Sequence, residues 1–241
     1  MAGNRPADGI SRRKWPPRTL LGALGADDLH VILSLGTQRA FPARYVLINE
    51  GDSTTDVFIL LDGWVKVTGN SAAGREVLLT IRAAGDVVGE LAALDNAPRS
   101  ASVLAVTRVS ALVIPQRQFL PLIAARPGIA FALASANGAK VRLATRYRID
   151  LSGAPVLQRL ARVLDYLAES YGTPGPDGLR IEAPLTRSDL AALIGAAEPS
   201  LYRAIAYLRS HNALVMSGRR YVVQDLALLQ KISRGADPEN I

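Results

Sequence analysis

Two short stretches of the chain carry residue types suited to chemistry at a phosphate. The first is Gly89-Glu90-Leu91-Ala92, followed a little later by Arg99-Ser100-Ala101. It comes after a β-rich run, opens a short helix and returns to another β-rich run. A helix N-terminus offers free backbone N–H groups and a partial positive charge, and both suit a phosphate. Gly89 lets that backbone approach a ligand closely. Arg99 supplies charge-assisted bonds to a phosphate, Ser100 a hydroxyl donor, and Glu90 an acceptor for a sugar hydroxyl. Taken singly, a Gly-Glu pair is a turn and an Arg is a solvated side chain. The combination, at this spacing and in this β-texture, points to a ligand site.

The second stretch begins at Thr186-Arg187-Ser188-Asp189. Thr186 is placed as a helix N-cap, with Asp189 as its capping-box partner three residues on. Leu190, Leu193 and Ile194 supply the buried face, and Gly195-Ala196-Ala197 makes the tight turn of a helix-turn-helix. A following helix, from Glu198 or Pro199 to Ser210, buries Leu201, Ile205 and Leu208 and presents Ser200, Tyr202 and Arg203 outward. Asn212 to Val222 reads as a hairpin with Ser217-Gly218-Arg219 at its tip and Arg220 beside it.

The elements that must position these residues divide the chain into distinct textures. Residues 1–18, with Gly3, Pro6, Gly9, Pro16 and Pro17, read as a mobile basic arm. Two short helical patterns around Leu20 to Leu35 follow. From Ala40 to Ile114, short β-rich runs such as Val57-Phe58-Ile59-Leu60-Leu61 alternate with turn residues such as Asp62-Gly63 and Gly85-Asp86. That spacing indicates a sandwich or barrel-like roll. Gln116 to Ala125 fits a short helix, and Pro127 starts a longer one to about Leu151. Gly138 weakens that helix by about 1 kcal/mol relative to Ala, so packing must support it. Ser152-Gly153-Ala154-Pro155 is a hinge, and the next helix carries Leu157, Leu160, Leu164 and Leu167 on one face. Gly172 to Gly178 reads as a loop and Leu179-Arg180-Ile181 as a strand. The domains expected are the arm 1–18, a roll over 19–126, a long helix and hinge over 127–153, and a helix-turn-helix with its hairpin over 154–241.

Composition sets outer bounds. The 28 Lys and Arg against 21 Asp and Glu give a formal charge of +7, which suits an anionic partner, nucleic acid being the commonest. The excess sits in Arg12, Arg13, Lys14 and Arg18 and in Lys140, Arg142, Arg146 and Arg148, so contact with DNA in the C-terminal third must rest on placement. With no cysteine, disulfides, Cys-based zinc sites, iron–sulfur clusters and thiol catalysis are excluded. His30 and His211 are the only histidines and fall in different expected domains, which argues against haem and metal sites. The apolar runs are too short for a membrane span and the N-terminus lacks a signal peptide's apolar core, so a cytoplasmic protein is expected. No P-loop or nucleophile elbow is present, and Gly172-Thr173-Pro174-Gly175 lacks the following Gly-Lys, so no enzyme is expected.

The stretch from Gly89 to Ala101 closely resembles the phosphate-binding cassette of cyclic-nucleotide-binding domains, and Thr186 to Val222 resembles a Crp-like winged helix-turn-helix. Over roughly residues 20–235 the chain is similar to the cyclic AMP receptor protein and fumarate-nitrate regulator superfamily of bacterial transcription factors. That resemblance implies an α+β architecture: a cyclic-nucleotide-type β-roll, a long dimerisation helix and a winged helix-turn-helix. It implies that Glu90 takes a ribose hydroxyl while Arg99 and Ser100 take the cyclic phosphate, with cyclic AMP as the allosteric ligand. The family's base-reading pair, counted back from Arg159, falls on Ala144 and Thr145; Thr145 keeps a hydroxyl and Ala144 departs from the pattern. Arg99→Ala is expected to abolish nucleotide binding with little effect on the ligand-free fold.

On the DNA side, the resemblance implies that Arg203 pairs with guanine in the major groove and that Arg187 contacts phosphate. Arg219 and Arg220 are either phosphate contacts or a solvated wing tip. Pro199 replaces an acidic cytosine-reading residue, so the operator should differ from the best-known half-site; Glu198 accepts from cytosine or, preferably, complements the helix dipole. The partners implied are a double-stranded DNA operator, RNA polymerase and a second copy of the chain, with no membrane. Leu133, Asn137, Val141, Ala144 and Leu151 form the expected dimer seam. The alternatives are the same fold acting without a cyclic nucleotide or with another ligand, and a nucleotide-binding regulatory subunit acting through protein contacts.

Overall fold

A computed structural model describes residues 14–217 and 220–236. The chain divides into two compact units after Gly138, inside a long helix.

In the first unit a 3-10 turn, Leu21–Ala23, and helix α1, Ala26–Leu33, precede eight strands. These are β1 (Thr37–Phe41), β2 (Val46–Ile48), β3 (Val57–Asp62), β4 (Trp64–Asn70), β5 (Glu76–Ala83), β6 (Val87–Val88), β7 (Ser102–Ala105) and β8 (Val109–Ile114). Helix α2 (Glu90–Asp95) separates β6 from β7, and α3 (Gln116–Ala125) and α4 (Pro127–Leu151) follow β8. The strands form two antiparallel sheets in the orders β1-β8-β3-β6 and β2-β7-β4-β5. The apolar run of β3 shows why they stack as a roll. Its alternate residues Phe58 and Leu60 join the cluster between the sheets, with Ile48, Val65, Val88 and Val103. Val57, Ile59 and Leu61 point the other way, into a second cluster with the helices. Period-two alternation with both faces apolar is what a strand buried on both sides requires.

Several expected boundaries shift. Trp15 is buried with Leu20 and Leu21 in the helix-side cluster, so the arm expected over 1–18 ends before Trp15. Residues 1–13, including Arg12 and Arg13, lie outside the described residues. The roll does not stop at 126, because Ile129, Ala132 and Leu133 at the start of α4 pack into that same cluster. Leu133 is therefore core, not dimer seam; its apolar surface is already consumed by the roll. Strand β1 also begins at Thr37, before the expected onset at Ala40. Its residues Thr37 to Ala40 are exposed, so no alternation marked them.

The second unit contains the rest of α4, then α5 (Val156–Tyr171), β9 (Thr173–Gly175), β10 (Gly178–Ile181), α6 (Arg187–Leu193), α7 (Glu198–Ser210), β11 (Leu214–Ser217), β12 (Arg220–Val223) and α8 (Leu226–Ser233). Its sheet runs β11-β12-β10-β9. The stretch Gly172 to Gly178 is thus not a plain loop: Thr173–Gly175 pairs antiparallel with β10. Helix α8 has no counterpart in the sequence reading. Asp225 caps it by accepting from the Leu228 N–H at 2.8 Å, and Leu229 and Ile232 are fully buried.

Candidate functional site

In the first unit, β6 delivers Gly89 to the mouth of the roll through the pairing of Val88 with Phe58. Gly89 is the N-cap of α2 with φ 80° and ψ 4°, a left-handed conformation that disfavours any side chain. A Cβ there would also lie 2.7 Å from Arg99 Nη1 and 2.9 Å from Ile48 Cδ1. Glycine is required on both grounds. Glu90, the first residue of α2, and Arg99 are each only 4% exposed. Ala92 is buried, Leu91 is exposed, Ser100 is exposed and Ala101 half-buried. The structure brings Gly89, Glu90 and Arg99 together as the sequence expects.

Arg99 does more than face outward to an anion. Its Nη1 donates to the Gly89 carbonyl at 2.7 Å, Nη2 to the Asp56 carbonyl at 2.8 Å and Nε to Thr54 Oγ1 at 3.1 Å. Its backbone is bracketed by the turn before β3, with Arg99 N–H donating to the Asp52 carbonyl and Gly51 N–H to the Arg99 carbonyl, both at 2.8 Å. Burial lowers the guanidinium pKa, and the carboxylates of Asp56, Asp52 and Glu90 oppose that shift. Arg99 therefore staples the cradle to the segment that leads into β3. Against the expectation that Arg99→Ala leaves the ligand-free fold nearly unchanged, truncation takes the donors from the part-buried carbonyl oxygens of Gly89 and Asp56.

Thr145 and Ala144 lie on α4 as exposed residues.

In the second unit, Thr186 caps α6 with a complete capping box. Thr186 Oγ1 accepts from Asp189 N–H at 3.1 Å, and Asp189 Oδ2 accepts from Thr186 N–H at 2.9 Å. Leu190, Ile194, Leu201, Ile205 and Leu208 are buried. Gly195 makes the turn with φ 57°. On the outward face, Arg187 Nη1 donates to Tyr202 Oη at 3.2 Å, and its guanidinium carbon sits 5.0 Å from the Tyr202 ring centre. That hydrogen bond is also the main reason the Arg187 pKa is raised. Arg203 Nη2 donates to Ser200 Oγ at 3.0 Å. Glu198 is exposed in the first turn of α7, and Arg220 is exposed at the start of β12. Arg219 lies outside the described residues.

Some positioning residues were not singled out from the sequence. Arg159 Nη1 donates to the carbonyls of Ile194 at 2.7 Å and Gly195 at 3.1 Å, satisfying the free C=O groups at the end of α6. Asp150, buried at the end of α4, forms an ion pair with Arg162 on α5. Tyr221 of β12 donates its hydroxyl to the Leu185 carbonyl at 2.9 Å, tying the wing to the start of α6. No local signal marks these residues, because each partner is distant in sequence.

Comparison with known proteins meets this geometry at both ends. Residues 38–126 match the cyclic nucleotide-binding domain family, and residues 158–232 match the Crp-like helix-turn-helix domain family. Together the two matches span more than half of the chain. The chain belongs to the CRP/FNR superfamily. It is 29% identical over 194 residues to the CRP-like cAMP-activated global transcriptional regulator of Mycobacterium tuberculosis, covering 80% of this chain and 87% of that one. Its fold is similar to that of FixK2 from Bradyrhizobium japonicum, with a TM-score of 0.72 at 18% identity over 84% of this chain and 100% of that one. It is also similar to the c-di-GMP responsive regulator CLP of Xanthomonas campestris, with a TM-score of 0.66 at 21% identity over 83% of this chain and 100% of that one. As a CRP/FNR member, the chain is a DNA-binding transcription regulator that carries a cyclic nucleotide-binding domain. Among the described residues, no single helix of this CRP/FNR chain is long and apolar enough to cross a membrane.

Proposed function

We propose that the chain acts as a homodimer whose hold on a DNA operator is gated by a cyclic nucleotide seated on the cradle. The observation that carries this is the buried Glu90 and Arg99 beside a glycine that only a left-handed, side-chain-free backbone can supply. Buried charges of both signs at a backbone edge suit a ligand with a phosphate and sugar hydroxyls. Three of the five Arg99 donors go to Gly89, Asp56 and Thr54, which fixes the plane of the remaining two. Ser100 and the first N–H groups of α2 complete the phosphate contacts, Glu90 accepts from the ribose, and the family resemblance assigns Thr145 to the base. Cyclic AMP is the ligand that both the family resemblance and the name of the M. tuberculosis relative suggest.

The α4 face supports the dimer. Phe131 is 76% exposed and Val141 64%, and with Ala134, Gly138 and Thr145 they recur at three- and four-residue steps. A second copy would bury that stripe. With two copies, α7 presents Ser200, Tyr202 and Arg203 to successive major grooves, while Arg187, Thr186 and the wing arginines Arg219 and Arg220 meet phosphates. Glu198 complements the α7 dipole. The nucleotide acts through its different affinities for the two arrangements of the reading heads. A second reading, a regulator active without nucleotide, is favoured by one observation: Arg99 is already satisfied by protein oxygens.

Calorimetric titration with cyclic nucleotides tests the first reading. Saturable binding near one per chain, weakened at least about tenfold in Glu90→Gln and Ser100→Ala, is the expected result. No heat from any cyclic nucleotide would move the account to the second reading. A monomeric mass in light scattering at micromolar concentration would rule out the homodimer.

A further inference from the structure

A helix-turn-helix needs residues that fix its register on the duplex as well as residues that read bases. We propose that Tyr202 is such a positioning residue: with Arg187 it clamps one DNA phosphate at the wall of the groove, and base reading is left to Arg203. This deepens, and rests on, the docking of α6 and α7 proposed above.

Arg187 is the first residue of α6, and Tyr202 lies in the second turn of α7. Both are exposed, Tyr202 to 42%. They meet twice. Arg187 Nη1 donates to Tyr202 Oη at 3.2 Å, and the guanidinium carbon stands 5.0 Å from the centre of the ring. A guanidinium has donors only, so the phenol oxygen is the acceptor and its own hydrogen is aimed elsewhere. The joined pair therefore offers one O–H and the remaining N–H groups of Arg187, all of them donors, beside a permanent positive charge. Its value to the fold is small. Exposed contacts of this kind contribute little to stability, and Leu190 of α6 and Leu201, Ile205 and Leu208 of α7 are buried already.

A surface of donors with a positive charge fits an anion that only accepts, and a phosphodiester is that anion. Arginine and tyrosine side chains are both ordinary phosphate donors. Placement then favours backbone over base edge. In helix-turn-helix docking the first helix crosses the backbone while the second lies in the groove. Tyr202 turns toward the first residue of that first helix, hence toward the backbone. Arg203, the next residue, lies about 100° further round α7 and is bonded within its own helix, donating to Ser200 Oγ at 3.0 Å. Neighbouring residues thus serve different parts of the duplex. The ring is a rigid spacer, so the clamp sets where Arg203 arrives along the groove.

The experiment is fluorescence anisotropy on the full-length chain, Tyr202→Phe, Arg187→Ala and the double variant. The probes are the duplex that the unmodified chain enriches from a randomised pool, its single-base variants and an unrelated duplex. Each is measured in the nucleotide condition in which the unmodified chain binds most tightly, and melting checks that every variant is folded. Tyr202→Phe keeps the ring and removes the hydroxyl. It should weaken binding to every duplex by a similar factor, about three- to tenfold, with the order of base preferences unchanged. Arg187→Ala should also act evenly, and should lower the slope of log affinity against log salt by about one. Once Arg187 is gone the hydroxyl should no longer matter, so the double variant should match Arg187→Ala within about twofold. A loss in Tyr202→Phe confined to one base position would make Tyr202 a base reader. Unchanged binding to all duplexes would make the pair an internal contact only, and fully additive losses would separate its two members. Each of these overturns the clamp and leaves the docking of α7 intact. An unmodified chain that enriches no sequence would overturn both.

Discussion

Arg99 in the roll and Arg203 on α7 are both arginines proposed to meet a nucleotide or nucleic acid, and the fold treats them in opposite ways. Arg99 is 4% exposed and donates to three protein oxygens drawn from the Thr54–Asp56 segment and Gly89. Arg203 stands in solvent on a helix whose other face is packed, with Ser200 Oγ one turn away as its hydrogen-bond partner. A buried charge must be satisfied by the protein before any ligand arrives, so its site and its fold are built from the same bonds. An exposed charge on a rigid helix is carried by the scaffold and contributes little to it. On the proposed reading, the ligand end of the molecule couples binding to stability, and the DNA end separates them.

Four substitutions sharpen or break that contrast, from the largest effect to the smallest. Arg99→Ala should destabilise the ligand-free chain by about 3 kcal/mol, because the carbonyls of Gly89 and Asp56 lose their donors. Urea denaturation followed by circular dichroism measures it; an unchanged midpoint would place Arg99 with the exposed arginines. Arg203→Ala should move that midpoint by less than about 0.5 kcal/mol and cost about 1–3 kcal/mol of DNA affinity at one base position. A loss spread evenly over all sequences would make Arg203 a phosphate contact instead. Thr186→Ala removes the capping box of α6 and should cost about 1 kcal/mol of stability.

Tyr221→Phe probes the smallest effect through pH. Burial, reinforced by Asp189, pushes the Tyr221 hydroxyl up to about 12 from its usual 10. Between those values the folded chain keeps a proton that the unfolded chain has lost. The stability contributed by the neutral phenol is therefore full below pH 10 and disappears as pH rises toward 12. In Tyr221→Phe the alkaline fall in melting temperature should be shallower over that interval, after an initial loss of about 1 kcal/mol from the bond to Leu185. Parallel curves for the two proteins would remove Tyr221 from the account.

Local signals carried much of this architecture. The β3 run, the proline at 127 and the Thr186–Asp189 pair each act within a few residues, and the corresponding elements lie where the sequence puts them. Features set by distant partners were not legible. Thr37 to Ala40 form a strand only because β8 is there to pair with them, and their exposed side chains leave no pattern. Trp15 and Leu133 look available in the sequence and are consumed by the same helix-side cluster. The cradle's residue types were readable, whereas the stapling role of Arg99 depends on Thr54 and Asp56, which are 45 and 43 residues away.

Gating of DNA by the cradle is the central claim, and selection of duplexes from a randomised pool tests it most directly. The full-length chain would be challenged with and without saturating cyclic GMP, and separately cyclic AMP, and the enriched sequence then measured by fluorescence anisotropy under the same conditions. The expected product is a two-fold symmetric sequence with half-sites one helical turn apart, bound at least about tenfold more tightly when a cyclic nucleotide is present. Equal affinity with and without nucleotide, for the same enriched sequence, would contradict it.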